Sequence, residues 1–126
     1  IESGAVGSGG TINIEAGSLS ITDSTQIQTF VRTKDGEQTP GIRNGGNVNI
    51  NVRGAVNISG IKDGIPSGIR STLTGVEGKA GNIAINAGSL NLSDKAVISS
   101  GTFGTGNAGN ISIQVNDLVA LDDSGI

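Results

Sequence analysis

The chain of 126 residues has no Cys, His, Met, Trp or Tyr, and only two Phe and two Pro. Without Cys or His it can build no zinc finger, no Ser-His-Asp or Cys-His pair, no haem ligation of the usual kinds and no disulfide staple. Without Met it is expected to be a fragment or a processed segment. Charge is sparse as well: eight Lys and Arg against 11 Asp and Glu give a net −3, which is no electrostatic footprint for nucleic acid. Aromatic platforms that stack on bases are missing. The longest run of large apolar residues and alanine, Leu118-Val-Ala-Leu121, is far too short to span a membrane, and no signal peptide is visible. The composition therefore implies no cofactor, no nucleic-acid partner and no membrane insertion.

What remains is rich in glycine, 22 residues, and in β-branched apolar residues, with 17 Ile and nine Val. These residues recur in order. Gly10-Thr-Ile-Asn-Ile14, Gly46-Asn-Val-Asn-Ile50, Gly81-Asn-Ile-Ala-Ile85 and Gly109-Asn-Ile-Ser-Ile113 share one form, spaced 36, 35 and 28 residues apart. A second alternating segment follows each: Gly17-Ser-Leu-Ser-Ile21, Gly54-Ala-Val-Asn-Ile58, Gly88-Ser-Leu-Asn-Leu92 and Asp117-Leu-Val-Ala-Leu121. The second and fourth copies carry one extra residue at the intervening turn. A third segment is clearest at Val97-Ile-Ser-Ser100 and is also read at Gln26-Ile-Gln-Thr29 and Gly68-Ile-Arg-Ser71. All alternate with period two, and none has the i, i+3, i+4 spacing of an amphipathic helix. Essentially no α-helix is expected.

A unit of about 30 residues with three short strands cannot bury its apolar side alone, and stacking of copies solves this. The sequence predicts an all-β, right-handed parallel β-helix of about four coils. It forms one segment over 1–126, with coils starting near 10, 46, 81 and 109 and surface loops inserted at 32–43 and 59–68. Four inward columns follow. They are Ile12, Val48, Ile83 and Ile111; Ile14, Ile50, Ile85 and Ile113; Leu19, Val56, Leu90 and Val119; and Ile21, Ile58, Leu92 and Leu121. The residues between them, such as Asn13, Asn49, Ala84 and Ser112, should form a solvated outer wall. Asn47, Asn82 and Asn110, with Thr11, form a polar ladder in which stacked Asn side chains bond along the axis.

Gly81 to Asp94 and Val97 to Asn110 resemble the repeat of filamentous-haemagglutinin-like large exoproteins, closest to the cyanobacterial members of the two-partner secretion group. The resemblance covers nearly the whole chain and weakens at the two inserted loops. It implies a right-handed β-helical rod that is secreted and held at, or released from, the cell surface, and no catalytic residues. The family's amino-terminal secretion domain is not visible in this sequence, so export by that route is inferred from kinship alone. The expected function is structural: a segment of an extracellular fibre with an adhesive or matrix role, touching other cells or matrix polysaccharide.

Other motifs are weaker. Gly104-Thr-Gly-Asn-Ala-Gly109 spells G-x-G-x-x-G, but a strand pattern follows where the dinucleotide fingerprint needs a helix. Asp23, Asp94 and Asp123 fall at equivalent corners, where an Asx turn is the main reading and calcium the lesser one. The N-x-S matches at Asn57, Asn91 and Asn110 lie in or beside proposed strands and arise from an Asn- and Ser-rich repeat. An enzyme or a polysaccharide-binding surface is the rival to a passive rod. Its candidates, Arg32, Arg43, Arg53, Arg70, Asp35, Asp63 and Glu77, show no diagnostic spacing. Finally, Leu121–Ile126 run on into Ile1–Gly9 aligns without a gap on Leu92–Gly106, with seven of 15 pairs identical. This phase predicts one period of a longer array, joined covalently in tandem or stacked head to tail on copies of itself.

Overall fold

A computed structural model describes residues 9–32, 43–75 and 77–126 of the chain, and there they form strands and turns with no helix. The first repeat supplies β1 (Ile12–Ala16), β2 (Leu19–Ile21) and β3 (Gln26–Arg32). The second supplies β4 (Val48–Val52), β5 (Ala55–Ser59), a short pair β6 (Ile61–Lys62) and β7 (Ile65–Pro66), then β8 (Gly68–Thr74) and β9 (Gly78–Lys79). In the third, the first two segments fuse into β10 (Ile83–Ser93), followed by β11 (Val97–Phe103) and β12 (Gly106–Asn107). The fourth is the long strand β13 (Ile111–Leu121).

The strands stack in parallel, repeat upon repeat. β1, β4, β10 and β13 pair in that order along one arm, and β2, β5, β10 and β13 along the other. Because β10 and β13 run through both arms, the two are one curled sheet. At its bend the β10–β13 register slips between Ala87 and Ser89, absorbing the extra residue of the fourth repeat. A second parallel sheet, β3-β8-β11, faces the first, and Val97 bridges to Gly125 beyond it.

Alternation decides which side chains go inward, because successive residues of a strand point to opposite faces. Ile50, Ile58, Ile69, Ile83, Ile85, Leu90, Leu92 and Ile98 are all at most 1% exposed. They form one cluster drawn from both arms of the curled sheet and from the facing sheet. Ile12 pairs with Val48, Val48 with Ile83, and Ile83 with Ile111, and the same holds for the column of Ile14, Ile50, Ile85 and Ile113. Leu19, Val56, Leu90 and Val119 share a third register line; Ile21, Ile58, Leu92 and Leu121 share the fourth. The columns are dry only in the middle. Their outermost members are less covered, with Val119 44% and Leu121 51% exposed.

The structure describes the two insertions in part. Within 59–68, β6 and β7 pair antiparallel as a hairpin, and Ser59 and Gly68 belong to β5 and β8. Its tip, Asp63-Gly64, has φ of 52° and 77°, the double positive φ of a type I′ turn. The Ser24 hydroxyl fastens the hairpin to the turn of the first repeat: its Oγ lies 2.8 Å from the Ile65 carbonyl oxygen and 3.1 Å from that of Lys62, the two sharing its single proton. In the other insertion, Arg32 is the last residue of β3, and Arg43 is buried with its N–H donating to the Glu77 carbonyl at 2.9 Å. The rest of that segment, 33–42, lies outside the described residues, as do residues 1–8 used in the end-to-end alignment.

Candidate functional site

The sites are best read as ladders, because every polar column repeats at the spacing of neighbouring strands, about 4.8 Å. At the corner before the first arm, the Asn82 N–H donates to Asn47 Oδ1 and the Asn110 N–H to Asn82 Oδ1, both at 2.8 Å. The expected ladder of Asn47, Asn82 and Asn110 thus runs from side chain to backbone, not from side chain to side chain. Amide-to-amide rungs occur instead on the outer wall: Asn49 donates to Asn13 (2.9 Å), Asn86 to Asn51 (2.9 Å) and Asn91 to Asn57 (2.8 Å). These rungs tie the outer wall together along the stack.

A third ladder lies inside and was not legible from the sequence. Thr29, Ser71 and Ser100 share a register line across β3, β8 and β11 and point inward. The Ser71 hydroxyl accepts the Gly81 N–H at 2.9 Å and donates to the Gly46 carbonyl at 2.9 Å. Ser100 repeats this one rung on, accepting from Gly109 (3.0 Å) and donating to Gly81 (2.8 Å). Thr29 Oγ1 lies 2.7 Å from the Gly46 carbonyl oxygen and 3.0 Å from Ser71 Oγ. Each hydroxyl therefore satisfies backbone groups at a corner, buried at Thr29 and Ser71 and partly buried at Ser100. Ser71→Ala would leave the buried Gly81 N–H without an acceptor, so a loss of about 1–3 kcal/mol is expected in urea unfolding. A change under a few tenths would disprove the role.

The corner aspartates act through backbone conformation. Asp23 and Ser24 have φ of 54° and 66°, and Asp94 and Lys95 have 52° and 67°. With Thr25 N–H donating to the Thr22 carbonyl and Ala96 N–H to that of Ser93, each at 3.0 Å, both corners are type I′ turns. Asp is chosen because it tolerates positive φ. Asp123, with φ 47°, is ion-paired with Lys95 of the rung below. Among the described residues no three acidic groups gather where a metal ion could be held. One physical reason is plain: the second repeat places its hairpin where its own corner Asp would come, so Asp23 and Asp94 are not on adjacent rungs.

Among the described residues the candidate enzyme residues gather at no one place, although the Arg43 and Glu77 backbones are hydrogen-bonded. Arg53 lines a groove of about 690 Å³ where the curled sheet bends, together with Glu15, Asn51, Asn86, Gln114 and Asn116. Arg70 is on the facing sheet, Asp63 at the hairpin tip and Arg43 buried at a corner; Asp35 lies outside the described residues. The groove holds one carboxylate, Glu15, where most glycoside hydrolysis uses a pair. The Gly104–Gly109 motif joins β11 to β13 through the two-residue ladder of β12 on β9, with no helix to receive a phosphate.

No protein-family model, no curated protein and no solved structure matches the chain. The functional reading rests on the geometry of its ladders and edges.

Proposed function

We propose that the chain is a structural segment: four coils of a right-handed parallel β-helix that continue head to tail into an extracellular or cell-surface fibre with an adhesive or matrix role. The observation that carries the reading is that the stack has open ends. Among the described residues β13 pairs on one side only, with β10, and exposes Leu118 (58%), Val119 (44%) and Leu121 (51%). At the other end β1, β2 and β3 each have a partner on one side only among the described residues, and Ile12, Ile14 and Leu19 are half-buried. Unpaired parallel edges with apolar residues in phase invite another strand. A further copy offers what the edge lacks, since β1 and β2 carry the apolar pattern that β10 already presents to β13. Right-handedness is the default for parallel crossovers, and the resemblance to haemagglutinin-like exoprotein repeats points to secretion and the cell surface. A rod gains length and stiffness by adding coils and needs no active site.

The reading predicts filaments. Four rungs at about 4.8 Å give an axial rise of roughly 19 Å per copy, measurable by electron microscopy or fibre diffraction. A monodisperse monomer at high concentration, or a filament with a rise far from this value, would overturn it.

A further inference from the structure

The groove of about 690 Å³ on the outer side of the bend does not owe its concavity to an open edge. It crosses all four repeats, and its two middle rungs belong to β4 and β10, each paired on both sides. Register sets Glu15, Asn51, Asn86 and Gln114 on one line across β1, β4, β10 and β13, one side chain per rung. All four are exposed. The central pair is only half committed: Asn86 Nδ2 donates to Asn51 Oδ1 at 2.9 Å, which leaves Asn51 its N–H donors and Asn86 its carbonyl oxygen. Arg53 and Asn116 border the groove at the bend, where the second and fourth repeats carry their extra residue. The Arg53 guanidinium reaches across to the first repeat, with Nη2 3.9 Å from where a Cβ of Gly17 would stand. Among the described residues no hydrogen bond or ion pair engages the side chains of Glu15, Arg53, Gln114 or Asn116. The groove thus offers donors and acceptors in a row, one charge of each sign, and no aromatic ring.

We propose that this groove binds a neutral, extended glycan laid along the stack, one sugar to each rung. A chain ligand lying along the axis meets a polar side chain about every 4.8 Å, and must repeat at that interval to engage them all. A β-1,4-linked pyranose advances its chain by about one rung per ring. An extended peptide rises about 3.3 Å per residue and falls out of step with the rungs. Sugar hydroxyls both donate and accept, which matches the mixed row: N–H donors at Asn51 and Gln114, oxygen acceptors at Asn86 and Glu15. The planar fork of Arg53 can span two adjacent hydroxyls of one ring. Balanced charge gives no pull on a polyanion, and the missing aromatic rings give none on a stacked base. Four rungs span three intervals, about 14 Å, so three or four sugars fill the groove of one copy. The inference is independent of whether copies stack; stacking would lengthen the groove and multiply weak contacts into avidity.

Titration of the full chain with cellotetraose, chitotetraose and mannotetraose, followed calorimetrically, tests the assignment. At least one should bind, more tightly than its own disaccharide, and its affinity should change less than about twofold with salt because the groove charges balance. Arg53→Gln, Asn51→Ala and Gln114→Ala should each weaken that binding about fivefold, the loss of roughly one hydrogen bond. Asn13→Ala is the matched control. It removes an equivalent amide rung, Asn49 to Asn13 at 2.9 Å, from the neighbouring outward line and outside the groove, and should leave affinity unchanged. All four positions are exposed, and unaltered circular dichroism certifies the fold of each variant. Binding of none of the three glycans would overturn the proposal. Equal losses in Asn13→Ala and Asn51→Ala would overturn it too, and would mark the amide rungs as structural only. Equal affinity for an uncharged Gly-Ser peptide of the same length would also overturn it, and would mark the groove as a peptide site.

Discussion

Ile85→Asp is expected to abolish the cooperative fold, or to leave only remnants of strand signal and of protease resistance. Ile85 is 1% exposed and lies between Ile50 on the rung below and Ile113 on the rung above. Losing its apolar burial removes about 1.5–3 kcal/mol. The larger effect is the carboxylate, since an unpaired charge buried in an aliphatic cluster costs several kcal/mol more. The inward neighbours of Ile85 are aliphatic, and the nearest polar ladder, at Ser71 and Ser100, already has its hydrogen bonds committed to glycine backbone. Against a total stability of about 5–15 kcal/mol, the sum is decisive. Ile85→Val, which removes one methylene, should lose only about 0.5–1.5 kcal/mol. The edge member of the same column gives the contrast: Ile113 is half-buried on β13, so Ile113→Asp should be tolerated far better. Circular dichroism with limited proteolysis measures all three, and wild-type resistance in Ile85→Asp would show the inward placement of this column to be wrong.

How much of this was legible follows from the kind of signal each element leaves. The four apolar columns announce themselves because β-branched residues at period two, repeated four times in phase, admit few other arrangements. The third strands were legible only to their midpoint. β3, β8 and β11 each run seven residues, but past Thr29, Ser71 and Ser100 the repeats diverge. The inner hydroxyl ladder escaped because Ser and Thr at a segment end read as turn residues; only the register shows that they face inward onto glycine backbone. The hairpin had its signal in plain sight, Asp63-Gly64 between Ile61 and Ile65, which is the composition of a type I′ turn. Pro66 and the broken repeat drew the reading toward a loop instead. The corner aspartates were placed correctly but for a different cause, since φ at Asp23 and Asp94 is positive and the carboxylates serve only their neighbouring hydroxyls. The outward Phe30 escaped as the hydroxyl ladder did: only once the register places Thr29 and Val31 inside does alternation put it outside.

Gly81→Ala and Gly10→Ala are the same substitution at the same place in two repeats, and they are expected to differ by several kcal/mol. A Cβ built on Gly81 would stand 1.8 Å from the carbonyl oxygen of Gly46 and 2.3 Å from its carbonyl carbon. Gly46 stands in the same relation to the Gly10 oxygen, at 2.0 Å, and Gly109 to that of Gly81, at 2.1 Å. These obstacles are backbone atoms of the rung below, with no flexible side chain to swing aside. Relief requires the rungs to part, and that would break the Gly81 bond to Ser71 (2.9 Å) and the Asn82 bond to Asn47 (2.8 Å). Gly81→Ala should therefore lose about 3–5 kcal/mol, more than ordinary overpacking. At Gly10 nothing lies within 4 Å, because no described rung sits beneath it, and Gly10→Ala should stay within about 0.5 kcal/mol in the isolated chain. Head-to-tail continuation would change that. The rung beneath Gly10 would then be the fourth repeat of another copy, presenting the carbonyl of Gly109 just as Gly81 presents its own to Gly109. Gly10→Ala is thus expected to leave the thermal or urea midpoint of the isolated chain unchanged while shortening or preventing filaments. Filaments of normal length and rise from a Gly10→Ala chain would show that the first repeat does not stack on the fourth in this register.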